Sequence, residues 1–441
     1  MVKRENPMSD YFTQPPVTKS SATSCPVTEM GAEFQPFQSP FLDDPYALLA
    51  RARDEEPVFY SPEIDHWVVT RYDDVKAILR DTDTYSSEMA QSPITPWPKE
   101  AVEKFKSYNL DIPPVFSNNK PPSHTEVRKF INDAFTPKRI KWLEPQMRRL
   151  VNEAIDKMID QGSADLMKEV LYETPARILF VFLGMSDDSL EKVKGWSGGR
   201  SLLTWGKLSD QEIVDLMPNF AEYVQFCKDL VEERTKNPSD DYTSELIQKK
   251  LDEEWPGITM TMISTMIFGL LIAGHETTSN QSGLAFRALL SHRDQWEAIC
   301  ADPSLIPNAV EEIIRYDSSN ISWRRVAKQD VEVRGVTIPE GAQILVMLSA
   351  ANRDEAEFED GEMFNIFRKR PQRHLSFGNG IHYCLGAPLA RLQLRVFLEE
   401  FACRIPSLRL VEDQSYTFLP NATHRGLVEL WCEWDVDFSS S

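Results

Sequence analysis

The stretch "RHLSFGNGIHYCLGAPLARLQLR", residues 373–395, decides how this chain is read. Gly378, Gly380 and Gly386 surround Cys384. Glycines let backbone N–H groups close in on one atom or on a flat ligand. "APLARLQLRVFLEEF" follows with helical spacing and Pro388 in its first turn. Cys384 therefore lies near a helix N-terminus, where the dipole favours a thiolate. Such a thiolate can be a nucleophile or an axial metal ligand. A nucleophile needs a histidine and an Asn or Asp to activate it. His382 is two residues away, which in an irregular loop decides nothing.

A second stretch, "MIFGLLIAGHETTSNQ", residues 266–281, asks why a helix that reads as buried carries a charge and two hydroxyls. With its flanks it can run as one helix of roughly 30 residues, about 45 Å long. His275-Glu276 suggests a zinc HExxH site, but the residue four places on is Ser279, so the second ligand is missing. Thr277 lies one turn after Ala273 and can bond back to its carbonyl, loosening the helix there. Two readings stand for the segment alone: a polar patch facing a neighbouring helix, or a proton relay from Glu276 and Thr277 into a buried pocket.

The bulk numbers narrow the classes. The chain has 441 residues, 41% of them apolar, which suffices for a large core. Its formal charge of -20 argues against nucleic acid and anionic membranes as partners. The six cysteines are scattered with no CxxC, so a disulfide framework is not expected. No apolar run approaches the roughly 20 residues of a membrane span, and the first 40 residues lack a signal-peptide core. A cytoplasmic protein is expected. Residues 1–38, rich in Ser, Thr and Pro, read as a flexible tail, and residues 39–441 as one catalytic domain.

Along that domain, Asp43 and Asp44 open a helix at Pro45. "PVFYSPEIDHWVVTRYDDVKAILR" reads strand, turn, strand, capped helix. From 124 to 300 apolar residues repeat at three and four, as in "IKWLEPQMRRLVNEAIDKMI". Strand signals return at "VEVRGVTIPEGAQILVML". The expected fold class is mainly α with a minor β region.

With both stretches in hand, "FGNGIHYCLG" resembles the F-G-x-G-x-H-x-C-x-G haem loop of cytochrome P450 monooxygenases, and "AGHETT" the A-G-x-[DE]-T-T segment of their central helix. "EEIIR", "PPSHTEVRKFINDAFTP" and "RRVAKQDVEVRGVTIPEGAQI" match further motifs of that family, in order, from about residue 40 to the C-terminus. The resemblance implies a single, triangular-prism-like domain and haem b with Cys384 as the axial iron ligand. A thiolate in that position pushes electron density onto the iron and favours O–O cleavage. It implies that Glu276 and Thr277 supply protons to dioxygen, the co-substrate, and that Ala273 leaves room for it. His124, Arg128, Arg325 and His374 match haem-propionate positions. Phe377 would pack beside the sulfur and Gly386 belongs to the same cofactor loop. Glu312 and Arg315, with Arg368, would form a structural ion-pair cluster. Gly361 and Glu359 stand where the family often has prolines, which bears on the loop that carries Arg368.

By the same resemblance Phe268, Gly269, Ile272, Ile321 and Trp323, with the 88–118 loop, would line a substrate pocket. Their chemistry suits a small or medium hydrophobic molecule, open to hydroxylation, epoxidation or O-dealkylation. Arg200 and Arg324 are candidates for a substrate carboxylate, but the sequence does not place their side chains inside. No flavin or four-cysteine cluster motif occurs, so electrons from NAD(P)H would arrive through a separate ferredoxin or flavodoxin-type partner and its reductase. The chain is also loosely similar to the branch whose haem domains are fused to a reductase. "FRKRPQRH" and "VRK" are basic islands suited to an acidic ferredoxin. A peroxide-driven peroxygenase and a haem sensor are the competing readings; neither needs the Glu276-Thr277 pair.

Overall fold

The computed structural model describes residues 27–252 and 255–436. Its spine is one helix, Met260–Leu290, which spans about 47 Å at 1.5 Å per residue. Thr259 caps its first turn by accepting the Met262 amide at 3.1 Å. Most of its residues are buried, polar ones such as Ser279, Asn280 and Ser282 included, because helices pack on it from several sides. Asp210–Lys236 and Glu173–Leu183 cover one flank, and Ile306–Tyr316 and Ala387–Arg404 another. The apolar faces of these helices merge into one large core. Among the described residues no helix is long and apolar enough to cross a membrane.

The β component stands beside this helical body. Strands Val58–Ser61, His66–Val69, Gln343–Val346, Trp323–Ala327 and Tyr85–Ser86 lie side by side in that order. Only the pairing of His66–Val69 with Gln343–Val346 is parallel. Alternation along Trp323–Ala327 sends Trp323 and Arg325 to one face and Arg324 to the other. Ser163–Asp165, Trp431–Glu433 and Arg409–Leu410 make a second small sheet, and Val331–Val333 with Val336–Ile338 a hairpin turning at Gly335.

Three expectations change. The tail was expected to reach residue 38, yet Thr28 caps a short helix, Glu29–Glu33, and Met30, Phe34 and Phe37 are buried with Phe41, Phe59 and Leu345. That aromatic set buries more surface than a solvated tail would, so packing begins before residue 39; residues 1–26 lie outside the described part. The 88–118 segment is not all loop, since Lys99–Ser107 is a helix whose Phe105 packs edge-on against Phe220 at 5.3 Å. Helix Tyr72–Arg80 has no side-chain cap from its own aspartates; Asp354, 282 residues away, accepts the Tyr72 amide at 2.9 Å. The helix at Pro45 starts as read, with Asp44 accepting the Tyr46 amide.

Candidate active site

Cys384 sits between a single turn, Gly380–His382, and the helix Ala387–Arg404. Its amide donates to the Phe377 carbonyl at 2.8 Å, which closes the loop. Gly380 adopts φ +75°, and a Cβ there would meet the Leu79 carbonyl at 2.9 Å, so only glycine fits the turn. Burial pushes the Cys384 thiol up, while the Gly386 and Ala387 amides and the Arg128 and Arg391 guanidiniums pull against it. The protein encloses the residue, yet it keeps accessible surface, because that surface faces an internal cavity.

The cavity holds about 310 Å³ and lies between the cysteine loop and the long helix. Phe377, Leu385 and Gly386 share the wall with Cys384, and Ala273, Gly274 and Thr277 form the helical wall. Basic side chains gather on it. The His124 and His382 rings lie 4.4 Å apart, tilted by 59°, and Arg128 donates to the Tyr383 carbonyl at 2.6 Å. Burial, then neighbouring arginines, hold both imidazoles below their usual range, His382 at about 3. Arg325 is 2% exposed, and no carboxylate of a described residue pairs with it. His124 Nδ1 is buried without a hydrogen-bond partner. Buried donors in that state require an anion or acceptor brought by a ligand. A thiol aimed into the cavity, with donors awaiting anions, fits a haem with its two propionates.

The long helix presents two chemistries on two faces. Thr277 Oγ1 donates to the Ala273 carbonyl at 2.5 Å and lines the cavity. Glu276, 100° further round, does not line it. Its carboxyl is buried, and Tyr172 donates to it at 2.6 Å. Burial raises Glu276 to about 7, with the Tyr172 hydrogen bond opposing. The His275 ring lies 4.6 Å from that of Tyr172, tilted by 53°, with its Nε2 against the Tyr172 carbonyl, and burial lowers it to about 4. The expected pair is therefore divided: Thr277 meets the cavity and Glu276 stands behind the helix.

On the far side of the cysteine loop, Arg315 donates to Glu312 from Nε at 2.7 Å and Nη2 at 2.8 Å, and Arg368 Nε reaches the same carboxylate at 3.1 Å. Gly361 belongs to this cluster, because its carbonyl accepts from Arg315 and a Cβ would strike the Arg353 carbonyl. The loop without prolines still delivers Arg368.

Phe268, Gly269, Ile272 and Trp323 line the cavity as the sequence leads one to expect. Gly269 gives the width: a Cβ there would lie 2.8 Å from the Phe116 ring. Two expectations are corrected. Ile321 is buried outside the wall, its backbone bonded to Thr423 and Ser349. His374 faces Glu311 at 3.3 Å rather than the cavity, because Glu311 and Arg391 form an ion pair that attracts it. His382 stands beside Arg128 and Arg325 instead; its place two residues before Cys384 was the available signal. Tyr172 was missed and left no signal, being 104 residues from Glu276. Arg200 and His424 also line the cavity.

Comparison with known proteins agrees with this geometry. A sequence profile of the family described as "Cytochrome P450" matches residues 56–303 and 300–404. The 6-deoxyerythronolide B hydroxylase of Saccharopolyspora erythraea is 33% identical over 372 residues, covering 83% of this chain and 89% of its own. The structure of cytochrome P450 CREJ in complex with (4-ethylphenyl) dihydrogen phosphate superposes with a TM-score of 0.88 at 38% identity, over 92% of this chain and 100% of that one. An intact type IV self-sufficient cytochrome P450 monooxygenase superposes with a TM-score of 0.89 at 39% identity, over 94% of this chain and 54% of that one. This chain belongs to the cytochrome P450 family and is a monooxygenase.

Proposed function

We propose that this cytochrome P450 inserts one oxygen atom from O₂ into a small or medium hydrophobic substrate, with electrons from NAD(P)H relayed by a separate ferredoxin and its reductase. The observation that carries the reading is Cys384 facing a cavity whose opposite wall is the Ala273–Thr277 turn. The hydroxylase relative and the aryl group of the ligand in the CREJ complex support a C–H oxidation on an apolar body.

Cys384 would hold haem b through its thiolate, and Arg128, Arg325, His124 and His382 would hold the propionates. When bound, the haem supplies O₂ activation and oxygen-atom transfer. The protein's own residues supply position and protons. Phe268, Ile272 and Trp323 bind the apolar body and exclude water. Thr277 Oγ1, now bonded to the Ala273 carbonyl, turns about χ1 to donate into the cavity. Glu276 titrates near neutrality and keeps a proton in store behind that turn. Tyr172 fixes its carboxyl. Glu312, Arg315 and Arg368 set the loop that presents Cys384; their role is structural.

Lys129, Lys369 and Arg370 are exposed, as is Phe367, so this rim offers positive charge around an apolar contact. An acidic ferredoxin would be steered to it. The catalytic unit is proposed to include residues 28–38 as well as the domain read from residue 39, and to work in the cytoplasm.

The test is the ferrous carbon monoxide spectrum of the purified holoenzyme, followed by spin-state titration with apolar aromatics, terpenes and fatty acids. A thiolate-type band, lost in Cys384→Ser, with a low- to high-spin shift on ligand binding is expected. A thiolate band that survives Cys384→Ser would refute the assignment.

A further inference from the structure

Glu276 is cut off from water on the cavity side. Its carboxyl is 2% exposed and does not line the cavity. The proposed reaction, on which this inference rests, draws protons through it, so solvent must recharge it by some route. Its neighbours name the candidates. On its own helix His275 is fully buried, and its Nε2–H donates to the Tyr172 carbonyl at 2.9 Å. On Asp210–Lys236 the charge of Glu276 reaches Tyr223, but that phenol is 0% exposed and bonds Ser197 at 3.1 Å. On Leu190–Trp205 stands Gly198, where a Cβ would lie 3.8 Å from Glu276 Oε1, so no side chain fills that flank. Of these residues Tyr172 alone touches the carboxyl and also reaches outward. Its hydroxyl donates to Glu276 Oε1 at 2.6 Å, and the residue is only half-buried.

The backbone holds this phenol in place. Tyr172 follows the π-helical turn Met167–Leu171, and its carbonyl accepts from His275 and, at 3.3 Å, from Ser279 Oγ. Two bonds to the long helix thus set the phenol against the carboxyl that the same helix carries. On the outer side the Lys194 carbonyl lies 3.4 Å from the Tyr172 hydroxyl, a second acceptor to which the O–H can turn. The Lys194 ammonium pairs with Glu191 at 2.8 Å and stands 3.7 Å from Glu173. The carboxylates of this cluster are 33% and 81% exposed, so they bring water and exchangeable protons to the edge of the phenol. Burial, then the charge of Glu276, push the Tyr172 hydroxyl up. A phenolate is therefore no resting point, and proton uptake and release at its oxygen go together.

We infer that Tyr172 is the proton inlet of this enzyme, reloading Glu276 from water at the Glu173–Lys194–Glu191 surface, on the side of the long helix away from the cavity. The Tyr172 O–H bond breaks toward Glu276 Oε1 while a hydronium ion at the surface gives a proton to the phenol oxygen. One proton passes from water to the carboxylate, the tyrosine regains its hydroxyl, and no electron moves. Tyr172 touches neither substrate nor cofactor; it acts through Glu276, and His275 positions it. Protons and substrate then use separate routes. An apolar substrate can dry the cavity without cutting off the proton supply.

Difference infrared spectroscopy of the holoenzyme reads the carboxyl directly. At about pH 6 Glu276, raised to about 7, holds its proton, and its C=O stretch is the band that Glu276→Gln removes. Mixing into D₂O shifts that band as the proton is exchanged, which gives a rate. Tyr172→Phe keeps the ring beside His275 and should slow the exchange at least about tenfold. Tyr223→Phe should exchange as wild type does. In wild type, filling the cavity with 4-phenylimidazole, its occupancy read from the visible spectrum, should leave the rate unchanged; this arm needs no variant. Equal rates in wild type and Tyr172→Phe overturn the inference, as does equal slowing by Tyr223→Phe. Exchange blocked by 4-phenylimidazole also overturns it, because the protons would then enter from the cavity. If no carboxyl band disappears in Glu276→Gln, the proton store itself is refuted, a result distinct from failure of the inlet.

Discussion

Replacing Glu276 by Gln tests the buried acid behind the long helix. In the folded protein burial raises the Glu276 carboxyl from an ordinary 4.5 to about 7. The folded state therefore holds this proton more tightly than the unfolded chain. Between pH 4.5 and 7 the native state binds more protons, so stability falls as pH rises through that window. Below it Glu276 is neutral in both states and costs nothing; above it Glu276 disfavours folding by the whole difference. At 1.36 kcal/mol per pH unit that difference is about 3 kcal/mol. Glutamine occupies the same volume, can still accept the Tyr172 hydroxyl, and never ionises. Glu276→Gln should match wild type near pH 4.5 and exceed it by about 3 kcal/mol above about pH 7.5. With about 2.1 cal/mol/K per residue of unfolding entropy, that is roughly 3 °C in Tm for a chain of this length. Urea unfolding of both proteins from about pH 4.5 to about pH 8.5 measures it, and subtraction removes the titration of every other group. A difference that does not change with pH would refute the raised carboxyl, and with it the idea of a proton kept in store at neutrality.

Other outcomes are expected. Thr277→Ala removes the only hydroxyl that residue offers the cavity, so the product formed per NAD(P)H should fall by about tenfold or more, with hydrogen peroxide in its place; unchanged coupling would exclude Thr277 as the donor. Glu312→Ala strips the carboxylate from Arg315 and Arg368, both largely buried, and should cost about 3–5 kcal/mol of stability by denaturant unfolding while leaving substrate spectra of the surviving holoenzyme intact. Lys369→Glu with Arg370→Glu should slow reduction by an acidic ferredoxin by about tenfold at low salt, an effect that fades at high ionic strength; equal rates at all salt concentrations would move the docking face elsewhere.

Sequence legibility followed the range of the interactions. The cysteine loop was readable because its parts lie close together in the chain: glycines for tight turns, a proline opening the helix, a thiol between them. Glu312 and Arg315 were readable for the same reason, being one helical turn apart. The resemblance supplied Arg368, and the fold carries it to Glu312 across 56 residues. What escaped were pairings set only by tertiary packing. Nothing near Glu276 announces Tyr172. Nothing near His374 announces that Glu311, one turn before Arg315, takes it away from the cavity. Arg200 was visible as a candidate, but a helix of low amphipathic contrast does not say which side faces a cavity; only its packing on the Asp210–Lys236 and Met260–Leu290 helices does. The tail boundary failed through composition, because Ser- and Pro-rich surroundings hid three apolar anchors.

Those anchors bear on where the polypeptide tolerates being cut. Phe34 meets Phe41 at 4.8 Å and Phe59 at 5.6 Å, and Met30 and Phe37 share the same cluster with Leu345 and Ala350. Side chains of this kind contribute roughly 2 kcal/mol each on burial. Together that is about 6 kcal/mol, comparable to the entire net stability of an ordinary domain. A shortened version starting at residue 39, the boundary that composition suggests, would lose that clasp and lay bare the underside of the sheet whose Trp323–Ala327 strand carries Arg325. One starting at residue 27 would keep it. The stub ahead of the first long helix thus acts as a rivet for the cofactor wall, and preparative trimming should stop short of it.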